Sequence, residues 1–266
     1  MSGREPIAVV VAGAFGKMGR TVVEMIEQTP HFRLVGIVDP KGRKLEGVPT
    51  YPSAGAALSQ GADVFVDFTT PEVVYGHARA AIDHGVRPVI GTTGLTPEEI
   101  ADLSARAGTR RLGGVIAPNF ALGAVLMMRM VALLARYFPY AEIIELHHEN
   151  KRDAPSGTAI VTAAAIARAR RSAGDSRAWE PVPAVSMTQE AESPSRGLVH
   201  DGVPIHSVRL PGLVAHQTVL FGGVGETLTL RHDTSARTAF MPGLRLAIEK
   251  AMTLDRLVVG LENVLD

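Results

Sequence analysis

Cysteine is the residue type this sequence lacks, since none occurs among its 266 residues. Its absence excludes disulfide bonds, thiolate zinc sites and cysteine nucleophiles, and it favours a cytoplasmic protein. The chain also lacks a net charge, because 27 Lys and Arg residues balance 27 Asp and Glu residues. We therefore expect neither nucleic acid nor an anionic membrane as a partner.

Long hydrophobic runs are missing as well. The longest apolar stretch, residues 121–134, is interrupted by Arg129, and it is shorter than the roughly 20 residues that a transmembrane helix needs. The first residues, M-S-G-R-E-P, lack the apolar core of a signal peptide. With 46% hydrophobic and 20% charged residues, the composition is typical of a globular protein with one large domain or two ordinary ones.

The amino-terminal pattern predicts a dinucleotide-binding domain. A nearly unbroken apolar run at 6–12 is typical of a central parallel strand, and Gly13, Gly16 and Gly19 follow it before a segment with helical spacing. A second apolar run ends at Asp39, about 20 residues beyond the last glycine, as in dinucleotide-binding folds. Glycines let the backbone approach a pyrophosphate, and the acid can accept hydrogen bonds from ribose hydroxyls.

The glycine spacing alone is a weak signal, because a tight turn without a ligand can also contain three glycines. Phe15 occupies the middle glycine position of the common G-x-G-x-x-G motif. The order of strand, turn, helix, strand and acid nevertheless favours a dinucleotide. Further apolar runs end at Asp67, before G-T-T-G and before A-P-N-F. We predict that residues 91–93 and 117–120 line the nicotinamide end of the site, although ordinary loops can have the same composition.

The cofactor preference has two possible determinants. Asp39 favours NAD, because a carboxylate repels a ribose 2′-phosphate. The following residues Lys41, Arg43 and Lys44 could supply cations to that phosphate if the loop folds back, or they could form a solvated loop. We expect the chain to use both NADH and NADPH, with NADH at least as good.

A second domain begins near residue 121. A long apolar helix at 122–138 precedes a strand that carries Glu145, His147 and His148, and an Ala-rich helix follows. Residues 204–222 and 225–233 then alternate or run apolar in a way that predicts further strands of a mixed sheet, and residues 236–257 have helical spacing. We predict domains at 1–120, joined by 236–266, and at 121–235. The stretch 172–202 has no periodicity and is predicted to be mobile.

The block E-L-H-H-E-N-K-R-D-A-P-S-G-T, residues 145–158, combines proton donors with a helix start. Adjacent strand residues point to opposite faces, so His147 and His148 should differ in role, one donating protons and one contacting substrate. Lys151 can donate a proton or stabilise an anion. The alternatives are structural histidines, a solvated lysine, or a metal site, for which no third ligand is evident.

Ser156, Gly157 and Thr158 form a potential anion cradle at the start of that helix, where two hydroxyls flank a glycine. Ser156 could instead serve only as a helix cap, as could Asp153. A basic residue should complete recognition of a dicarboxylate, and the candidates are Arg237 and Arg209.

These motifs resemble those of the dihydrodipicolinate reductase family. The similar segments are V-A-G-A-F-G-K-M-G-R, D-F-T-T-P, G-T-T-G, A-P-N-F, R-L-P-G-L-V-A-H-Q, G-E-T-L-T-L-R-H-D and, most specifically, H-H-E-N-K-R-D-A-P-S-G-T. The resemblance implies an α/β protein with a Rossmann-like parallel-sheet dinucleotide-binding domain and an α+β substrate-binding and oligomerisation domain with a mixed sheet. It also implies a cytoplasmic homotetramer, associated through the second-domain sheets, in the diaminopimelate route to lysine.

The resemblance further implies NAD(P)H-dependent reduction of a cyclic hydroxy-dicarboxylate, with hydride delivery to C4 and loss of water. By motif, His147 is the proton donor and acceptor and Lys151 is the second proton donor. His148 contacts substrate, and Gly157 with Thr158 bind a substrate carboxylate beside Ser156. Arg237 is not part of these motifs and stays a substrate-binding candidate from the residues alone. The matched cofactor positions are Gly13, Ala14, Phe15, Gly16, Lys17, Met18, Asp39, Gly91, Thr92, Thr93, Ala117, Pro118, Asn119 and Phe120. Pro40 departs from members with arginine there, which weakens the expectation of a strong NADP preference.

Two other functions remain open from the residues alone. A nicotinamide-binding regulatory module without catalysis would explain the first domain but not the combination of His147, Lys151 and the hydroxyl-rich helix start. Another two-domain dehydrogenase of amino-acid metabolism, such as one that oxidises homoserine, is also conceivable. A phosphorylating semialdehyde dehydrogenase is excluded, because it needs a cysteine nucleophile.

Overall fold

A computed structural model describes residues 5–172 and 196–265 of the chain. The chain folds into two compact units, Met1–Leu122 with Arg237–Asp266, and Gly123–Ala236. Each unit has its own sheet and its own hydrophobic core.

The described residues form strands and helices in the following order along the chain. The strands are β1 (Ile7–Ala12), β2 (Phe32–Val38), β3 (Thr50–Tyr51), β4 (Val64–Asp67), β5 (Arg87–Ile90), β6 (Gly114–Ile116), β7 (Tyr140–His147), β8 (Leu198–His200), β9 (Val203–Arg209), β10 (Ala215–Gly223), β11 (Glu226–Thr234) and β12 (Leu257–Val259). The helices are α1 (Lys17–Glu27), α2 (Ala54–Leu58), α3 (Pro71–Asp83), α4 (Pro97–Arg110), α5 (Leu122–Leu134), α6 (Gly157–Ser172) and α7 (Met241–Ala251), with 3₁₀ turns at Arg237–Phe240 and Leu261–Asn263.

The first unit contains a seven-stranded sheet in the order β12-β6-β5-β4-β1-β2-β3, and all its strand pairs are parallel. The apolar runs β1 and β4 are central and buried, as expected for strands that helices cover on both faces. This sheet confirms the predicted Rossmann-like domain. Because the strands are parallel, the turns after β1, β2, β4, β5 and β6 lie at one edge.

The carboxyl-terminal segment belongs to the first unit. The sequence pattern predicted a helix over 236–257, but the structure has a 3₁₀ turn, then α7, which ends at Ala251. Leu257–Val259 form β12, which pairs with β6. Three residues are too few to show a strand pattern in the sequence. The strand β12 forms because β6 offers it an edge of the sheet for pairing.

The second unit contains the predicted mixed sheet, in the order β11-β10-β7-β9-β8. Strands β7 and β9 are parallel, whereas the other pairs are antiparallel. One face of the sheet packs on α5 and α6, and its core includes Ile143, Val219, Phe221 and Ile166.

Two predicted boundaries in this unit differ from the structure. Helix α5 ends at Leu134 rather than at Phe138, whose ring packs 5.8 Å from that of Phe221. Most of the stretch predicted to be mobile, residues 173–195, lies outside the described residues, and its end forms β8. No helix in the described ranges is long and apolar enough to cross a bilayer.

Candidate active site

The glycine turn after β1 leaves no room for side chains at two positions. Gly13 has a φ of +82°, and a Cβ there would lie 2.3 Å from the carbonyl oxygen of Phe68. A Cβ on Gly19 would lie 2.0 Å from the carbonyl oxygen of Gly13. Both contacts are with backbone atoms, so a side chain at either position would force the backbone to move. The turn therefore brings β1 and α1 as close together as a dinucleotide motif requires.

The N-terminus of α1 is open to a ligand. Gly16 is the N-cap residue, and no described side chain caps the helix. Gly16 and Lys17 are exposed, whereas Ala14 is buried beneath the turn. The amides of a first helical turn lack intrahelical acceptors and carry the positive end of the helix dipole. The turn thus fits a pyrophosphate, and Lys17 adds a cation beside it.

Asp39 follows β2 at the same edge, where Arg43 binds it. Arg43 donates from Nη2 to Oδ1 at 2.9 Å, from Nε to Oδ2 at 3.0 Å and from its backbone N–H to Oδ2 at 2.7 Å. The side-chain hydrogen bond from Arg43 holds the pKa of the Asp39 carboxyl below its usual value. The basic loop therefore folds back rather than extending into solvent, but what Arg43 contacts there is the acid itself.

Asp67, at the end of β4, ties the neighbouring turns together. Its Oδ1 accepts hydrogen bonds from the Thr92 hydroxyl at 2.6 Å, the Thr69 hydroxyl at 2.7 Å and the Thr69 amide at 3.0 Å. His77 Nδ1 lies 2.7 Å from its Oδ2. Because the Asp67 side chain is fully buried, these contacts fix the turn after β5 relative to the turn after β4.

The two predicted nicotinamide-end segments follow β5 and β6. A Cβ on Gly91 would lie 2.2 Å from the Phe68 ring, so the backbone passes directly over that ring. The Thr92 hydroxyl is engaged with Asp67 and with the Thr69 amide, which leaves the backbone of this turn for a ligand. Thr93, in the turn after β5, is exposed. After β6, the side chains of Ala117 and Phe120 are buried, whereas Pro118 is exposed and Asn119 is half-buried.

In the second unit, a buried carboxylate organises the E-L-H-H block. Glu145 is fully buried on β7 and accepts two hydrogen bonds from Arg209, at 2.8 Å to Oε1 and 3.0 Å to Oε2. Its Oε2 also lies 2.5 Å from Nδ1 of His147. Strand pairing produces this arrangement, because His147 is opposite Arg209 and Glu145 is opposite Ser207 in the β7–β9 register.

These contacts set the protonation states of the pair. Burial acts to raise the pKa of the Glu145 carboxyl, but hydrogen bonds from Arg209, Ser207 and His147 outweigh it, and the pKa is lowered. Burial lowers the pKa of His147 despite the opposing effect of Glu145. Neutral His147 therefore donates its Nδ1 proton to Glu145 and keeps Nε2 as an acceptor.

Lys151 and His148 lie in the loop after β7. The strand ends at His147, so His148 is the first residue of the loop. The prediction that both histidines lie on the strand and point to opposite faces was therefore wrong for His148. The Lys151 ammonium lies 2.8 Å from the Asp153 carboxylate, and its charge also contributes to lowering the pKa of His147.

Ser156, Gly157 and Thr158 begin α6. Ser156 is buried, and its Oγ accepts a hydrogen bond from the Ala159 amide at 3.2 Å, so this hydroxyl is the helix cap. Its own amide donates to Glu145 Oε1 at 3.3 Å, which links the cap to the histidine cluster. A Cβ on Gly157 would meet no atom within 4 Å. Packing within the protein therefore does not require glycine here, and the open space above it is available to a ligand.

The two arginine candidates have different positions. Arg209 binds Glu145 and the Asp153 carbonyl oxygen, the latter at 2.6 Å, and thus stabilises the cluster from within. Arg237 lies exposed in the 3₁₀ turn of the first unit. Among the described residues, no three His, Asp or Glu side chains lie close enough together to hold a metal ion.

Sequence reasoning missed the roles of the two buried carboxylates that organise these sites. The role of Glu145 could have been found, because it lies two residues before His147 and thus on the same strand face. The contacts of Asp67 with Thr92 and of Glu145 with Arg209 depend on strand order and register, for which the sequence had no local signal.

Comparison with known proteins places the whole chain in one family. A family model described as "Dihydrodipicolinate reductase, N-terminus" matches residues 7–120, and "Dihydrodipicolinate reductase, C-terminus" matches residues 123–265. The 4-hydroxy-tetrahydrodipicolinate reductase of Geobacillus thermodenitrificans is 47% identical over 271 residues, which cover 98% of this chain and 99% of that protein. The protein of the same name from Streptococcus suis is 49% identical over 261 residues, covering 97% of this chain and 99% of its own length.

Solved structures agree with this assignment. A dipicolinate-bound dihydrodipicolinate reductase from Paenisporosarcina sp. TG-14 has a TM-score of 0.88 and 42% identity, and the match covers 98% of this chain and 100% of that chain. An amine dehydrogenase from Mycobacterium smegmatis has a TM-score of 0.62 at 16% identity, covering 96% and 95%, and shares the fold alone. The chain therefore belongs to the dihydrodipicolinate reductase family, and the resemblance predicted from its motifs is confirmed.

Proposed function

We propose that the two units divide the work of an NAD(P)H-dependent reductase, the first holding the dinucleotide and the second holding a cyclic dicarboxylate and moving its protons. The activity is that of 4-hydroxy-tetrahydrodipicolinate reductase, in the diaminopimelate route to lysine. The observation that carries the division of roles is the buried Glu145 carboxylate, which binds His147 and Arg209 together and also accepts the amide of the helix cap.

The residues of the first unit hold the dinucleotide through backbone groups. The open N-terminus of α1, with Gly13, Ala14, Phe15, Gly16, Lys17 and Met18, receives the pyrophosphate, and Asp39 accepts the ribose hydroxyls. The turns at Gly91, Thr92 and Thr93 and at Ala117, Pro118, Asn119 and Phe120 receive the nicotinamide end. When bound, the reduced nicotinamide supplies a hydride to C4 of the substrate.

The residues of the second unit bind and protonate the substrate. The first-turn amides of α6 at Gly157 and Thr158, with the Thr158 hydroxyl, bind one carboxylate, as helix N-termini do, while Ser156 keeps this turn in place. His148 contacts the substrate from the loop, and Arg237 is a further candidate for its second carboxylate. Roles of this kind need positioned charge rather than a metal ion.

Proton transfer is shared between His147 and Lys151. Loss of water at C4 removes a proton from the adjacent ring carbon, and the reduced product needs a proton returned there. His147 Nε2 accepts and returns that proton, since Glu145 holds the imidazole in one tautomer and stabilises the imidazolium. The Lys151 ammonium gives the second proton, to the departing hydroxyl. In total, substrate, NAD(P)H and one proton yield tetrahydrodipicolinate, NAD(P)⁺ and water.

The second unit also has surface suited to self-association, and we propose a homotetramer formed through it. The apolar side chains Leu126, Met130 and Leu133 are about half exposed along α5, at the spacing of one helix face. On the sheet face opposite the core, Ile144 and Leu220 are not fully buried. Sedimentation equilibrium should give four times the chain mass, and a monomer at micromolar concentration would contradict this.

We place the protein in the cytoplasm, where cell fractionation should find it.

One assay tests the activity directly. Freshly prepared 4-hydroxy-tetrahydrodipicolinate should cause loss of absorbance at the nicotinamide band with NADH and with NADPH, whereas homoserine with NAD should give none. The variant His147→Gln should lower kcat by about 100-fold while NADH still binds, as expected for a positioned acid–base group. NADH binding without turnover in the native chain would contradict the proposal.

A further inference from the structure

The Asp39–Arg43 pair is more than a loop contact. Asp39 is 4% exposed, and the Arg43 guanidinium binds both of its carboxylate oxygens, through Nε and Nη2. About half of the Arg43 side chain is in contact with solvent. The guanidinium therefore covers the acid that ends β2 and presents its remaining surface outward.

Phe15 fixes the position of this guanidinium. The Arg43 Cζ lies 4.5 Å from the centroid of the Phe15 ring, within the range of a cation–π contact. Phe15 belongs to the glycine turn, between Gly13 and Gly16. Arg43 is thus held between the turn proposed for the pyrophosphate and the acid proposed for the adenosine ribose, which is where a 2′-phosphate of that ribose would lie.

The pair changes the electrostatics expected from Asp39 alone. A lone carboxylate would repel a ribose 2′-phosphate, whereas a carboxylate bound to a guanidinium forms a pair without net charge. The hydrogen bonds from Arg43 keep Asp39 ionised by lowering its pKa. The site therefore lacks the repulsion that the sequence suggested as the basis for NAD preference.

Both partners keep hydrogen-bonding capacity. A carboxylate has about four acceptor positions and a guanidinium has five N–H donors. Asp39 accepts three hydrogen bonds from Arg43, which leaves about one position, on Oδ1, for a ribose hydroxyl. Among the described residues, Nη1 of Arg43 has no hydrogen-bond partner. Nη1 and the second hydrogen of Nη2 therefore form a free edge that matches a phosphate.

We propose that Arg43 is a specificity-determining residue for the cofactor, which binds a 2′-phosphate on its free edge while Asp39 remains bound on the other. The same pair then accepts NADPH through the free edge of Arg43 and NADH through the acceptor position that Asp39 retains. The inference rests on the proposed placement of the dinucleotide at the glycine turn.

Binding of cofactor fragments tests this without catalysis. ADP-ribose and 2′-phospho-ADP-ribose, which lack nicotinamide, are titrated calorimetrically into the native chain and into Arg43→Met, whose apolar side chain can still pack on Phe15. The Kd of the phosphorylated fragment should rise by about 10- to 100-fold, the usual effect of losing a charge-assisted hydrogen-bonded pair. The Kd of ADP-ribose should change by less than about threefold.

Lys44→Met is the matched control, because it removes one positive charge from the same loop without touching Asp39. It should change both Kd values by less than about twofold. Equal weakening of the phosphorylated fragment in Lys44→Met and Arg43→Met would overturn the proposal, since only the net charge of the loop would then matter. Equal weakening of both fragments in Arg43→Met would also overturn it.

Two further variants separate this inference from the proposed placement. Asp39→Asn should weaken ADP-ribose while the phosphorylated fragment binds as well or better, because Arg43 is released from its partner. Gly16→Val adds a side chain at the N-cap of α1 and should weaken both fragments. If both fragments bind Gly16→Val unchanged, the placement itself is wrong; if Gly16→Val weakens both but Arg43→Met does not distinguish them, only the role of Arg43 is wrong.

Discussion

Each unit of the molecule has a fully buried carboxylate at or near the end of a strand, and the two differ in their partners. Asp67 in the first unit accepts hydrogen bonds from hydroxyls and an amide and contacts His77. Glu145 in the second unit is bound by the guanidinium of Arg209 and by an imidazole. The first carboxylate holds loops in place, whereas the second is part of a charged network.

The difference corresponds to the role that we propose for each unit. A dinucleotide is held mainly by backbone amides, so the first unit needs close-packed turns at fixed positions. The proton transfer that we propose for the second unit needs groups whose charge is tuned, and charges are buried next to His147 there. Changes in the first unit should therefore alter cofactor affinity, and changes in the second should alter kcat and the pKa of His147.

The largest effect should follow removal of the Lys151 charge. Lys151→Met should lower kcat by about 100-fold or more, because a positioned proton donor is lost, and it should leave the Kd of NADH unchanged. Steady-state kinetics and NADH titration measure the two quantities. The neighbouring Arg152→Met is the control and should keep native kcat. A Lys151→Met enzyme with kcat within about threefold of native would contradict the assigned role.

Glu145→Gln should lower kcat by about 10- to 100-fold, because His147 loses the group that orients it and stabilises its charged form. The pKa of His147, measured by NMR titration, should fall further. The free energy of unfolding should decrease by about 3–5 kcal/mol, since Arg209 is left buried without a counter-ion.

The double variant Glu145→Gln/Arg209→Met separates stability from positioning. Without an unpaired buried cation, it should recover much of the lost stability but none of the lost kcat. Recovery of both would mean that Glu145 is only structural.

Because burial lowers the pKa of folded His147, the neutral imidazole stabilises the fold above about pH 6.5, and that contribution is lost as the pH falls through the lowered value.

A smaller effect should follow loss of the Thr158 hydroxyl. Thr158→Val keeps the shape of the side chain and should raise KM by about 10-fold with little change in kcat, because one hydrogen bond to a charged carboxylate is lost. Thr109→Val, an exposed hydroxyl on α4, is the control. An unchanged KM in Thr158→Val would remove this residue from the proposed carboxylate site.

The smallest effect on turnover should come from Asp67→Asn. The turn that carries Thr92 should loosen, the Kd of NADH should rise by about fivefold, and the free energy of unfolding should fall by about 2 kcal/mol. The pKa of His147 and kcat at saturating cofactor should not change. If Asp67→Asn shifts the pKa of His147 as Glu145→Gln does, the contrast between the two carboxylates is wrong.

The first unit was the easier one to predict from sequence, for a local reason. Gly13 and Gly19 are required by close backbone approaches at the turn itself, and each apolar run ends in small or polar residues where a strand ends. The same local patterns predicted α6 and the strand β7. They could not predict β12, which exists only because β6 offers it an edge.

The organisation of the candidate site was harder to predict, because it depends on pairing between distant strands. His147 and Lys151 were proposed as site residues from one fourteen-residue block, but the contact of Arg209 with Glu145 follows from its position opposite His147 in the β7–β9 register. The basic loop after Asp39 left two interpretations open, and the contact of Arg43 with Asp39 and Phe15 needed coordinates.

A crystal structure of the chain with NADH and dipicolinate would test the central claim most directly. We predict one carboxylate of dipicolinate on the amides of Gly157 and Thr158, with Nζ of Lys151 and Nε2 of His147 directed at the ring and the pyrophosphate at the N-terminus of α1. Dipicolinate bound away from the start of α6, with His147 and Lys151 not contacting it, would contradict the account.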